Sequence, residues 1–93
     1  KIEKGSGNVF FDVGFPPGEA QNLLMRAELM LSIEQFVRKS GMTQKDAARA
    51  LGVTQPRLNL LLKRRIELFS LDALVNMATR AGMKVKLTVK KAA

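Results

Sequence analysis

Between Glu19 and Lys39 apolar residues return at helical spacing. Ala20, Leu23, Leu24, Ala27, Met30 and Leu31 form one stripe, and Leu29, Ile33, Phe36 and Val37 continue it, which predicts the longest helix of the chain. Ser40 and Gly41 stop it, Gly41 at the position that favours a left-handed cap. Thr43 followed three residues later by Asp46 has the spacing of a capping box and starts a second helix, which Gly52 ends. Thr54 suits the N-cap of a third helix running to about Lys63. Pro56 is tolerated in its first turn because amides there have no intrahelical partner. Ser70 caps a fourth helix with Asp72 near its positive end, Leu71, Leu74, Val75, Ala78 and Ala81 as its apolar stripe, and Gly82 closing it. Ile66, Leu68 and Phe69 are expected to plug the core from the loop before it.

Two segments have period two instead. Met83, Val85, Leu87 and Val89 alternate with Lys84, Lys86, Thr88 and Lys90, the strongest strand pattern in the chain. Val9, Phe11 and Val13 alternate with Phe10 and Asp12, a short strand-like run ahead of Pro16 and Pro17. A lone strand is not stable, so the C-terminal one must pair with the Val9 to Val13 segment, with its own copy across a dimer axis, or with both. Lys1 to Asn8, polar and punctuated by Gly5 and Gly7, reads as a flexible arm. The chain divides into an N-terminal arm with a short strand over 1–17, a helical domain over 18–82, and a strand with a basic tail over 83–93. The fold class expected is mainly all-α: a bundle of four or five helices with a C-terminal β-strand used in dimerisation.

Within 43–63 the pattern is more specific. Counting from Gln44, alanine stands fifth (Ala48), glycine ninth (Gly52), and leucine fifteenth and eighteenth (Leu58, Leu61). Ala48 lets two helices approach closely, Gly52 permits positive φ at a tight turn, and Leu58, Leu61 and Leu62 hold the second helix on the core. An ordinary helical hairpin can place Gly and Ala there by chance, but the basic surroundings favour a helix-turn-helix that seats its second helix in a major groove. With Leu58 and Leu62 inward, the opposite face presents Pro56, Arg57, Leu60, Lys63 and Arg64, with Gln55 and Asn59 on its flanks. Arg57 is the leading base reader, since its fork bonds guanine O6 and N7 together, while Gln55 or Asn59 can do the same for adenine. Leu60, an exposed leucine on that face, is expected against a thymine methyl or another protein. Thr43, Gln44, Lys45, Arg49, Thr54, Lys63, Arg64 and Arg65 are expected on phosphates, the plainer reading of each charge being a solvated surface.

Charge sharpens this picture. The chain of 93 residues carries a formal +8 with a pI near 10.5. Five of those charges sit around the motif, in Lys45, Arg49, Arg57, Lys63, Arg64 and Arg65 against Asp46, and Lys84, Lys86, Lys90 and Lys91 add four. Clustered base is the footprint of a polyanion binder. Membrane-surface binding by Lys84 to Lys91 is the weaker reading, because that segment alternates as a strand with a solvated lysine face. Without cysteine or histidine there is no disulfide, no thiolate or imidazole metal site and no cysteine nucleophile. The eight carboxylates are scattered and no glycine loop cradles a phosphate, so neither an enzyme nor a cofactor is expected. The most apolar stretch, Leu23 to Ile33, is broken by Arg26 and Glu28, so no membrane span is expected and a cytoplasmic protein is.

These residues resemble the lambda-repressor-like (XRE-type) helix-turn-helix family. The resemblance extends from Asn8 to Val89, and Asn8-Val9-Phe10, Phe15-Pro16-Pro17, Arg26-Ala27, Leu51 to Arg57 and Phe69 to Leu74 resemble the short antitoxin-like branch related to HigA antitoxins. It implies a dimeric repressor, many members of that branch binding a small RelE-like ribonuclease toxin encoded beside them. It also implies DNA contacts at Gln44, Gln55, Arg57 and Asn59, and a toxin contact through the segment Lys1 to Asp12. The sequence departs from the pattern at Leu60, where a polar residue is usual, and at Lys63-Arg64-Arg65, where a glycine-lysine turn is usual. Two functions are therefore expected to compete: operator binding by a homodimer on double-stranded DNA, and a toxin-neutralising module whose N-terminal arm folds on its partner. Phe10 and Phe11, on the second view part of that arm, serve equally well as core residues covering the long helix.

Overall fold

The computed structural model describes residues 8–91, which form five α-helices and a 3-10 turn with no strand among them. They are α1 (Val9–Asp12), α2 (Pro17–Ser40), α3 (Gln44–Leu51), α4 (Gln55–Leu62), the 3-10 turn (Ile66–Leu68) and α5 (Leu71–Arg80). Pro17 opens α2, where its missing amide costs no helical hydrogen bond, and Gly41 closes it at φ 72°, a left-handed cap. α3, α4 and α5 each begin on a hydroxyl that accepts the amide of the residue three further on: Thr43 from Asp46 at 3.1 Å, Thr54 from Arg57 at 3.3 Å and Ser70 from Ala73 at 3.1 Å.

α2 is the spine, packing against α1, α4, α5 and the 3-10 turn, while α3 packs on α4 and α5. The core joins Met30, Ile33 and Val37 of α2, Ala47, Ala48 and Leu51 of α3, Leu58 and Leu61 of α4, Phe69, and Leu74, Met77 and Ala78 of α5. Burying each large side chain there stabilises the fold by about 1.5–3 kcal/mol. Of the loop residues expected to plug the core, Phe69 is fully buried, Ile66 is half-buried and Leu68 is exposed.

Both strand expectations are corrected. Val9 to Asp12 is one turn of helix, because Asn8 supplies locally what a lone strand lacks. Its Oδ1 accepts the Phe10 amide at 3.0 Å, and its Nδ2 donates to the Ala20 carbonyl of α2 at 3.0 Å. The amide of Val13 then donates to the Val9 carbonyl at 3.1 Å, and the rings of Phe10 and Phe15 meet edge to face at 6.1 Å. Residues 83–91 form no strand and, with Val9 to Asp12 helical, have lost the intrachain partner proposed for them. Met83 packs on the core, but Val85, Leu87 and Val89 are exposed. Of the flexible arm expected over Lys1 to Asn8, the first seven residues lie outside the described residues, and Asn8 is held by its bonds to Phe10 and Ala20.

Candidate nucleic-acid interface

The interface is built on α3, α4 and the turn between them. Gly52 makes that turn at φ 74°, its amide meeting the Arg49 carbonyl at 3.1 Å and that of Val53 meeting the Ala48 carbonyl at 2.9 Å. Arg80 of α5 lies across Gly52 so closely that an added Cβ would fall 2.6 Å from Arg80 Cδ. Thr43, Gln44, Lys45, Arg49 and Thr54 are all exposed on the rim that this turn creates. Lys45, Arg49 and Lys63 have no acidic partner among the described residues, so their charge is uncompensated.

α4 sits on the core differently from the expectation. Leu58 and Leu61 are fully buried, while Leu62 is only half-buried. Turning the inward direction from Leu58 and Leu62 to Leu58 and Leu61 brings Arg57 to roughly 70° from the core at about 100° per residue. Gln55, Pro56, Asn59 and Lys63 are exposed, whereas Arg57 is half-buried on the flank. Its guanidinium carbon lies 4.1 Å from the centroid of the Phe69 ring, a cation–π stack. No described residue accepts a hydrogen bond from that guanidinium, so its donors are unspent. Leu60, expected to be exposed, is half-buried against the core cluster. The chain turns back after α4, the Arg65 amide donating to the Leu60 carbonyl at 3.1 Å.

Arg64 and Arg65 are partly committed within the chain. Arg64 has φ 61°, in the left-handed region at the place where the resemblance leads one to expect glycine. Its Nε donates to Glu34 Oε1 at 3.3 Å, and Arg38 donates through Nη2 to Glu34 Oε2 at 2.6 Å. Glu34 is only 3% exposed. The Arg38 hydrogen bond lowers its pKa from the ordinary 4.5, burial opposes that, and Arg64 adds to the lowering. Arg65 Nε pairs with Glu67 Oε2 at 2.7 Å, both residues remaining exposed. The Glu67 carboxyl is held low by its own backbone amide first and by Arg65 second.

Two groups were missed by sequence reasoning. Glu34 and Arg38 have the four-residue spacing of a helical ion pair, a signal present in the sequence. In the sequence Arg26 interrupts an apolar stripe and stands in the Arg26-Ala27 pair of the resemblance, neither of which points to its partners. Its Nη1 donates to the carbonyls of Ile66 at 3.2 Å and Phe69 at 3.1 Å, and its Nε to Asn22 Oδ1 at 2.7 Å. The acceptors 40 and more positions away carry no local signature.

Among the described residues there is no acidic cluster able to hold a metal ion, and no helix is long and apolar enough to cross a membrane. In comparison with known proteins, residues 9–90 match a family model described as a helix-turn-helix domain. No curated protein matches the chain.

Proposed function

The chain belongs to the helix-turn-helix domain family, and from that premise we propose that it is a sequence-specific transcriptional regulator, a dimeric repressor of antitoxin type acting on its own promoter. One observation carries the reading: the first turns of α4 hold Gln55, Pro56 and Asn59 exposed beside an Arg57 whose guanidinium meets no acceptor among the described residues. In this role α4 enters the major groove, with Gln55 and Asn59 reading adenine and Arg57 reading guanine. Thr43, Gln44, Lys45, Arg49, Thr54 and Lys63 meet phosphates, with the exposed guanidinium edges of Arg64 and Arg65 as secondary contacts. One module presents few base readers, so a twofold dimer supplies the missing specificity. The exposed Val85, Leu87 and Val89 support a dimer made by pairing residues 83–90 with their copy.

The test is selection from random duplexes with the intact chain, followed by titration of the enriched site. Arg57→Ala is expected to cost about 1–3 kcal/mol on that site and to relax discrimination at one base pair. Failure to enrich any site would reject sequence-specific binding.

A second reading rests on the N-terminal turn. Val9, Val13 and Phe15 are exposed around α1, an apolar surface suited to a RelE-like toxin. Co-purification of a small basic partner that is lost on deleting residues 1–12 would favour it.

A further inference from the structure

The Arg57 guanidinium carbon lies over the Phe69 ring, and no described residue accepts a hydrogen bond from that guanidinium. Where a guanidinium stacks on a ring through its π-face, its in-plane N–H groups, the ones that form a bidentate pair with guanine, stay available. The Phe69 ring that holds it, 4.1 Å from the guanidinium carbon, is itself fully buried. The backbone bearing that ring is tied to α2, because Arg26 donates to the Phe69 and Ile66 carbonyls at 3.1 and 3.2 Å and is in turn fixed by Asn22 at 2.7 Å. A continuous path therefore runs from Asn22 and Arg26 on α2, through the segment between α4 and α5, to the half-buried Arg57 on the flank of α4, whose guanidinium meets no described acceptor.

From this geometry we infer that Phe69 is a positioning residue for base recognition: it orders the Arg57 fork before DNA arrives, with Arg26 anchoring Phe69, so that Arg57 selects a guanine at one defined base pair. The inference rests on the DNA-reading function proposed above. An unrestrained arginine loses several rotors when it docks, and a fork already held on a buried ring loses fewer. The ring and the arginine thus act as one specificity unit, although only the arginine touches the base.

The experiment uses the intact chain and the duplex most enriched by it from a random pool. Discrimination is read as the ratio of dissociation constants for that duplex and for the same duplex carrying 7-deazaguanine at the guanine read by Arg57, which replaces the N7 acceptor with a C–H and leaves O6 in place. Phe69→Leu keeps the site apolar without a π-face. Phe69→pentafluorophenylalanine, introduced by synthesis, keeps the ring's shape and reverses its attraction for a cation. Both variants are expected to lose most of the discrimination, about tenfold for a bidentate contact, and to add little further loss when combined with Arg57→Ala. The pentafluoro variant covers the case in which Phe69→Leu does not fold. Wild-type discrimination in the pentafluoro variant, or an equal loss of affinity with and without Arg57, would show Phe69 to be core packing only and overturn the inference. Enrichment of a site at which neither Arg57→Ala nor deazaguanine has an effect would also overturn it while leaving DNA reading by Gln55 and Asn59 in place; no enrichment at all would remove the function beneath it.

Discussion

Glu34 is a carboxylate among the apolar residues of α2, and a charge that buried must be compensated where it sits. Arg38 compensates it from one turn along the same helix and Arg64 from beyond α4, so the pair also ties the end of α4 to the spine. The tie bears on Arg64 itself, whose left-handed backbone costs about 1–2 kcal/mol relative to a right-handed one. Glu34→Gln keeps the volume and gives up the charge, and is expected to destabilise the fold by about 1.5–3 kcal/mol at pH 7, measured by urea unfolding. The sign of the pH dependence follows from the lowered pKa. Folded protein binds the Glu34 proton more weakly than unfolded chain does, so this stabilisation is complete above the ordinary value of 4.5 and is lost as pH falls through the lowered one. Glutamine does not titrate, so the gap between wild type and variant should close in acid; a gap independent of pH would mean that the arginines contribute nothing through charge. Arg57 shows how a residue's position in a helix can be legible while the direction of its side chain is not. Its fork and first-turn position are legible in the sequence, but its orientation depends on whether Leu61 or Leu62 goes inward, and both are leucine.

At the scale of elements, the turn between α3 and α4 sets the geometry with which α4 is presented. Gly52→Ala places a side chain at φ 74° and displaces Arg80, whose flexible end can move, so the cost is mainly backbone strain of about 1–2 kcal/mol. Gly18→Ala in the first turn of α2, where an added Cβ meets nothing within 4 Å, should instead stabilise by up to about 1 kcal/mol. Thermal unfolding of the two variants gives opposite shifts if turn conformation rather than loss of glycine is responsible, and equal shifts if it is not. These helices were legible because their boundaries are written locally: Thr43, Thr54 and Ser70 cap the ends that their positions predict. The Val9 to Val13 alternation misled because five residues satisfy a strand period as easily as they fill one helical turn, and Asn8 decides between them through a bond to Ala20 that local spacing does not reveal. The alternation from Met83 to Lys90 is genuine as a pattern, but a strand exists only with a partner, and the one available within the chain is helical.

For the whole molecule, positive charge gathers in two places. Among the described residues Lys45, Arg49 and Lys63 of α3 and the end of α4 have no acidic partner, whereas Arg38, Arg64 and Arg65 meet carboxylates, and Lys84, Lys86, Lys90 and Lys91 carry a second basic run along the C-terminal segment. On another part of the molecule, a groove of about 750 Å³ between α2, α5 and residues 83–87 is lined by Met25, Leu29, Val75, Val85 and Leu87. A twofold partner seated on the C-terminal segment would set the spacing of two reading helices, which must lie about 34 Å apart to meet one face of a duplex. The most direct measurement of α4 in the major groove is methylation protection of the selected duplex by the intact chain, since dimethyl sulfate reports guanine N7 in the major groove and adenine N3 in the minor. Expected is protection of guanine N7 in two clusters about one helical turn apart, with adenine N3 still reactive between them. Protection of adenine N3 alone, with every guanine N7 as reactive as in free DNA, would contradict it.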